Sequence, residues 1–156
     1  MQKITPFLWF DTQAEEAANF YVSVFKNARI NGISRYGEAG PGPAGSVMVA
    51  QFQIEGQEFL ALNGGPMFTF SPATSFVVNC ETQEEVDYYW EKLSEGGKTD
   101  QCAWLADKFG VTWQIVPTVL STLMGDPDPV KSGRVMQAML QMTKIIIADL
   151  QRAYEG

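Results

Sequence analysis

Apolar residues fall in two rhythms along this chain. From Ile4 to Phe10 they form a nearly continuous run, which predicts a strand buried on both faces. From Ala14 to Phe25 they recur at helical spacing, with Ala14, Ala17, Ala18, Tyr21, Val24 and Phe25 on one side and Glu15, Glu16 and Asn19 on the other. That spacing predicts a helix laid over a sheet. Ile30 to Tyr36 and Ser46 to Ile54 read as strands, and Glu55-Gly56 is a hairpin turn into a further strand, Glu58 to Leu62.

The pattern then repeats. Ile4–Phe20 lies over Thr74–Trp90, with Asp11-Thr12-Gln13 on Glu81-Thr82-Gln83. Each copy carries an apolar run, a Thr-x-x-Glu capping box (Thr12/Glu15 and Thr82/Glu85) and an amphipathic helix. A second echo sets Glu55–Leu60 over Phe109–Gln114, a Gly-led turn entering a strand. The second copy thus predicts a strand from Thr74 to Cys80, a helix from about Gln83 to Leu93, and strands near Gln101–Ala106 and Val111–Val116. A duplicated unit dictates architecture. The expectation is an α+β fold of two βαβββ modules, residues 1–65 and 72–117, forming a curled mixed sheet around a cleft, with C-terminal helices over 118–156. In that tail Asp126-Pro127-Asp128-Pro129 starts a helix carrying Val135, Met136, Met139 and Leu140 on one side, and Thr143 is the expected N-cap of a last helix, Ile145 to Leu150. So Met- and Ile-rich a tail is expected to dock on the sheet or on a partner, having no core of its own.

Composition narrows the function classes. A length of 156 residues with 46% apolar content suits one domain spanning 1–156. No apolar run approaches the roughly eighteen residues of a membrane helix, and the first residues lack a signal-peptide pattern, so a cytoplasmic protein that engages no membrane is expected. Eleven Lys and Arg against eighteen Asp and Glu, a net charge of −7, with no basic block, argue against nucleic acid. Cys80 and Cys102 read as buried reduced thiols. The chain has no histidine, which excludes Ser-His-Asp and Cys-His catalysis and any His-ligated metal. Gly40-Pro41-Gly42-Pro43-Ala44-Gly45 matches G-x-G-x-x-G in form only, because two prolines remove amides and a strand follows. A mobile loop at a cleft mouth or beside a subunit partner is the expectation there.

Several blocks together carry a family resemblance: Ile4-Thr5-Pro6-Phe7-Leu8-Trp9-Phe10-Asp11, Ala17-Ala18-Asn19-Phe20-Tyr21, Ser34-Arg35-Tyr36-Gly37, Ala61-Leu62-Asn63-Gly64-Gly65-Pro66, Ser75-Phe76-Val77-Val78-Asn79-Cys80 and Asp107–Pro117. With these the chain resembles the vicinal oxygen chelate superfamily, which contains glyoxalase I, extradiol dioxygenases and bleomycin-resistance proteins. It is most similar to the PhnB-like branch, labelled 3-demethylubiquinone-9 3-methyltransferase-like. The start and the Val-Met-Gln-Ala-Met-Leu helix of the tail look like that branch too. The resemblance implies a glyoxalase-like fold and a homodimer. Metal-dependent members hold a divalent ion with His and Glu; the corresponding places here offer Ile4 or Thr5, Thr74 or Ser75, Leu60 near Asn63, and Gln114. None is His or a carboxylate, so no metal and no cofactor are expected. Methyl transfer from S-adenosylmethionine normally uses a Gly-rich turn at the end of a parallel sheet, and the sequence supplies no such unit.

The pocket that remains has no obvious catalyst. Its expected lining is Trp9, Phe52, Asn63, Phe70, Trp104, Trp113 and Gln114, flat apolar walls with two amides to orient a ligand, and Arg35 is placed to meet an anionic group. Trp9 and Phe52 suit plain core as well, and Arg35 suits a surface salt bridge. Three readings follow: a metal-independent protein binding a small-molecule ligand, an enzyme of the same superfamily (lyase, dioxygenase or methyltransferase-like), or a dimeric interaction module working through its tail.

Overall fold

The duplication in the sequence is a duplication of topology. A computed structural model describes residues 2–156 and divides into two units, Met1–Phe70 and Ser71–Gly156. The first holds β1 (Phe7–Phe10), α1 (Ala14–Val24), β2 (Ala28–Arg35), β3 (Val47–Ile54) and β4 (Gln57–Asn63), with sheet order β1-β4-β3-β2. The second holds β5 (Ser75–Cys80), α2 (Gln83–Ser94), β6 (Lys98–Thr99), β7 (Trp104–Ala106) and β8 (Thr112–Pro117), with order β5-β8-β7-β6, followed by α3 (Thr118–Met124), α4 (Pro129–Leu140) and α5 (Ile147–Glu155). In both sheets the first strand pairs in parallel with the last and the remaining pairs are antiparallel. Even the registers correspond. Phe7 pairs with Leu60 across the parallel ladder of the first sheet, and at the positions that the sequence repeat sets on them Val77 pairs with Gln114 across that of the second. This is the mixed α+β fold expected, in two four-stranded sheets with C-terminal helices.

In the first unit α1 buries Ala14, Ala17, Ala18, Tyr21 and Val24 on one face of its sheet. Tyr21 stacks on Phe52 and Phe52 on Phe59, with centroids 5.9 and 5.3 Å apart, pairs that add about 0.5–1.5 kcal/mol each beyond area burial. Strand alternation sends Phe7, Trp9, Leu60 and Leu62 to the other face, where Phe7 is exposed and the rest are half-buried. The expectation that the first strand is buried on both faces is corrected by that exposure. Glu55 (φ 47°) and Gly56 (φ 81°) both sit in the left-handed region and form the expected two-residue turn of the β3–β4 hairpin.

The capping boxes part company. In the second copy Thr82 accepts the amide of Glu85 at 3.2 Å, and the Glu85 carboxylate accepts the amide of Glu81 at 2.9 Å. In the first copy Gln13 holds the cap position and makes no side-chain capping bond; the amide of Ala14 is taken instead by Asn63 Oδ1, from the end of β4, at 2.7 Å. The expected Thr12/Glu15 box is therefore replaced by a long-range cap.

The tail docks on its own unit, as expected, through an apolar cluster that it shares with Ala103, just before β7, and Val116 of β8. Ala103, Leu120, Val135, Ile145 and Leu150 are buried together, with Val116, Leu123, Met124, Met139, Met142 and Tyr154 packed around them. Met136 and Leu140, expected on the same stripe as Val135, are instead exposed. Asp128 caps α4 through the amide of Val130 at 2.9 Å, with Pro129 in the first turn. The last helix begins at Ile147, and its cap is not Thr143: Gln83 of α2 accepts the amide of Ile147 at 2.8 Å and donates to the carbonyl of Ile145 at 3.0 Å. The turn expected to be strand, Gln101 to Ala103, carries Cys102 and Ala103 at φ 57° and 79°. Their amides donate to Met142 and Thr143, both at 2.9 Å, so the tail is stitched to the turn through backbone. Arg134 caps the C-terminal end of α5 by donating to the carbonyls of Ala153 and Tyr154 at 2.7 Å each.

Two outcomes follow for the tail. Replacing Gln83 with Ala removes both bonds to the start of α5 and is expected to destabilise the second unit by about 1–2 kcal/mol, measured by chemical denaturation. The Tyr154 hydroxyl donates to the Asp126 carboxylate at 2.6 Å, and this bond holds the Asp126 carboxyl below its ordinary range and the Tyr154 phenol above its own. A depressed carboxyl contributes stability that is whole above its ordinary pKa of 3.8 and is lost as pH falls through the lower folded value. A raised phenol contributes stability that is whole below its ordinary 10.0 and is lost as pH rises through the higher folded value. Thermal melts of the wild type and Tyr154→Phe are therefore expected to differ most between roughly pH 5 and pH 9 and to converge on both sides.

Candidate functional site

Asn63 is the last residue of β4, paired with Phe10 at the end of β1. Its side chain is engaged at both ends: Oδ1 accepts from Ala14, and Nδ2 donates to the carbonyl of Val47 at the start of β3 at 3.2 Å. Its backbone carbonyl accepts the Tyr36 hydroxyl at 2.6 Å. One residue thus fixes the start of α1, the start of β3 and the aromatic ring that follows β2.

Around that ring the 37–45 loop is built. Tyr36 and Ser46 close it, with the Tyr36 amide donating to the Ser46 carbonyl at 2.9 Å and the Gly45 amide to the Tyr36 carbonyl at 2.8 Å. Gly40 and Gly42 lie against the ring so closely that a Cβ on either would collide with it, at 2.9 Å for Gly40 and nearer still for Gly42. Arg35 is exposed and donates to the carbonyl of Gly45 at 3.1 Å; it serves the loop. The loop leads into a strand and not into a helix, so the formal G-x-G-x-x-G match has none of the geometry that holds a dinucleotide.

Gly64 and Gly65 follow Asn63. Trp9 packs its indole under Gly64, where an added Cβ would come within 2.5 Å of the ring, and donates from Nε1 to the Gly65 carbonyl at 2.9 Å. Between these pieces lies a cavity of about 540 Å³, lined by Asp11, Thr12, Glu15 and Glu16 at the start of α1, by Tyr36, Pro41, Gly42 and Pro43 of the loop, and by Ser46, Val47, Asn63, Gly64 and Gly65. It lies wholly within the first unit.

Of the residues expected to line a pocket, Asn63 lines this one and the others do not. Trp9 supports its floor from beneath. Phe52 is fully buried in the core under α1, and Phe70 meets Phe10 edge-on at 5.1 Å. Trp113 is buried too, because its indole N–H is taken by the buried carboxylate of Asp107 at 2.9 Å, which also accepts the amides of Phe109 and Val111. Trp104 and Gln114 are register partners, half-buried, on the face of the second sheet that alternation turns away from Cys80 and Val78. Asp11, Glu15 and Glu16, which the sequence reading did not place at a pocket, line this cavity; of the three, Glu15 belongs to the Thr12/Glu15 box that the chain does not close.

At the places where metal-binding relatives carry their ligands, the chemistry does not fit a divalent ion. Gln114 Nε2 donates to the Ser75 hydroxyl at 2.9 Å, and Leu60 stands beside Phe7. Among the described residues no group of three or more His, Cys, Asp or Glu is placed to hold a metal. Cys80 is no nucleophile: burial first, and then the nearby Glu85 charge, push its thiol up to about 12. No helix among the described residues is long and apolar enough to cross a membrane.

Comparison with known proteins agrees with this fold. Residues 2–116 match the family model described as 3-demethylubiquinone-9 3-methyltransferase. A PhnB protein from Bacillus cereus is similar at 44% identity and TM-score 0.68, over 75% of this chain and 100% of that one. A protein from Pseudomonas aeruginosa shares the fold at 21% identity and TM-score 0.62, over 75% and 98% of the two chains. The fosfomycin resistance protein FosX from Listeria monocytogenes, solved with Mn(II) and sulfate, does so at 16% identity and TM-score 0.53, over 78% and 94%. A search of curated proteins gives no match. With its duplicated sheets and the match over most of its length, the chain belongs to the 3-demethylubiquinone-9 3-methyltransferase family, the PhnB-like branch of the vicinal oxygen chelate superfamily.

Proposed function

We propose that this is a metal-independent small-molecule-binding protein of the glyoxalase/bleomycin-resistance type, with the cavity beside Asn63 as its binding site. The observation that carries the reading is that the cavity is pre-formed. Its volume of about 540 Å³ falls in the range of small-molecule pockets, about 300–1,000 Å³, and its walls are held by the bonds of Asn63 and Tyr36 and by the glycine contacts to Tyr36 and Trp9. A wall ordered before binding spares the ligand that ordering entropy. The amide of Asn63 and the hydroxyl of Tyr36 are each bonded in building the walls, which supports a positioning role for them. The protein acts in the cytoplasm as a homodimer, and the uncharged exposed side of α4, with Val130, Met136 and Leu140, supports pairing of two copies.

Native mass spectrometry of the purified chain tests this reading. A metal-free species carrying a small organic adduct is expected, and Val47→Trp, which fills the cavity from β3, is expected to reduce adduct occupancy tenfold or more with the melting temperature little changed. A stoichiometric divalent ion, or an adduct indifferent to Val47→Trp, would sink it.

A second reading, an enzyme of the same superfamily, is favoured by the neighbouring Trp104 and Gln114, an amide pinned by Ser75 beside a flat apolar ring. On that reading Gln114→Ala abolishes turnover of a candidate substrate and leaves the fold intact, as far-ultraviolet circular dichroism would report. Full activity in the variant rules the residue out.

A further inference from the structure

We infer that the 37–45 loop is a hinged flap that gates the cavity beside Asn63 and latches on the ring of Tyr36; this rests on the binding reading above. Pro41, Gly42 and Pro43 of the loop form one wall of the cavity. The other walls are anchored: the start of α1 by the Asn63 cap, Val47 by its place in β3, and Gly64 and Gly65 by Trp9. The loop wall has no such anchor. Its hydrogen bonds run from Gly40 to Gly37, from Ser46 to Pro43 and from Gly45 to Tyr36, and none from residues 37–44 reaches past the segment's own ends. A segment bonded only to itself can lift away without breaking any bond that holds the sheet.

The four glycines of the loop divide by position and by surroundings. Gly37 and Gly45 stand at its ends, where an added Cβ would meet nothing within 4 Å, and Gly45 holds a φ of 87°. Open space and a permissive backbone suit a hinge. Gly40 and Gly42 stand in the middle, against the Tyr36 ring, which is itself buried and fixed by the bond of its hydroxyl to the Asn63 carbonyl. Pro41 and Pro43 lock φ on either side of Gly42, so the middle moves as one piece. The ring is the seat on which that piece closes.

The second copy of the unit supplies the control. Its corresponding connection, from β6 to β7, is the short turn Asp100–Ala103, whose Cys102 and Ala103 amides are tied to the tail. Joining these two strands therefore needs no long loop. The long connection, with its glycines and prolines, stands in the unit whose cavity it lines.

The test needs no ligand. In the full chain labelled with ¹⁵N, relaxation dispersion on the microsecond-to-millisecond scale is expected for the amides of Glu38, Ala39, Gly40, Gly42 and Ala44, and not for those of Tyr36 and Ser46. A Val47→Cys variant puts a thiol on the cavity lining, and its rate of alkylation by iodoacetamide, read peptide by peptide to separate it from Cys80 and Cys102, reports access. Adding Gly42→Ala, whose Cβ would strike the ring, holds the flap off its seat and is expected to raise that rate about fivefold or more. Adding Gly37→Ala, whose Cβ would meet nothing, stiffens the hinge alone and is expected to lower it. Circular dichroism and the melting temperature should change little in each, since the flap holds no part of the core. Dispersion absent from residues 38–44, or an alkylation rate unmoved by either glycine substitution, overturns the flap. The binding reading would still stand, because only the mass-spectrometric experiment above bears on it.

Discussion

The side chain of Asn63 is the constraint on which the first unit hangs. An amide holds its acceptor and its donor on separate atoms, so Asn63 can accept from the Ala14 amide and donate to the Val47 carbonyl at once, and it does so from a strand end where its own carbonyl takes the Tyr36 hydroxyl. Removing the amide would orphan a helix-terminal N–H and a strand-start carbonyl together, each worth about 1–3 kcal/mol when left unmade in a buried setting. The cavity is a consequence of this arrangement. Helix start, loop and strand end are held apart at fixed positions, and Gly42, Gly64 and Gly65 keep the space between them clear of side chains.

The two copies show how one fold tolerates two solutions to the same problem. Both helices begin directly after a strand and both need their first amides satisfied. α2 closes a local box with Thr82 and Glu85, at the expense of two side chains. α1 borrows its cap from β4 and leaves its own polar residues uncommitted. The borrowed amide recurs at the start of α5, where Gln83 of α2 plays toward Ile145 and Ile147 the part that Asn63 plays toward Val47 and Ala14. The motif is a side-chain amide that donates to one backbone carbonyl and accepts one backbone amide, joining two segments at Asn63 and pinning a single one at Gln83.

Much of the fold was legible because it is written in periodicity. Alternation and 3.6-residue spacing located most strands and the first two helices to within a few residues, and the residues that the self-alignment equates, Phe7 with Val77 and Leu60 with Gln114, hold equivalent places in the two parallel ladders. What escaped has a common cause, dependence on partners distant in sequence. A Thr-x-x-Glu box signals a cap only if no better acceptor arrives from elsewhere, and Asn63 arrives from 49 residues away. Trp113 looks like a pocket wall until Asp107 is seen holding its indole inside. Cys102 and Ala103 carry no local sign of a left-handed turn, and only the bonds to Met142 and Thr143 explain why non-glycine residues persist there. Asn63 stood out in the sequence as one of two amides among flat apolar residues, and the structure puts it on the cavity wall.

The tail extends this logic beyond the family match, which stops at residue 116. Its apolar cluster is small, and α3 to α5 are short helices of the kind that do not hold in water alone. Directional bonds make up the difference: Asp128 caps α4, Gln83 starts α5, Arg134 finishes it, Tyr154 returns to Asp126, and Lys144 pairs with Asp87 at 2.9 Å. Polar bonds of this kind fix geometry more than they add energy, since each nets only about 0.5–1.5 kcal/mol. A buried face dominated by Met and Leu would accept several packings of three helices. Terminal bonds admit one, because a cap made one residue out of register is not made. The uncharged outer side of α4 is therefore held at a fixed place on the second unit by bonds at both ends of the helix pair, although little packing enforces it.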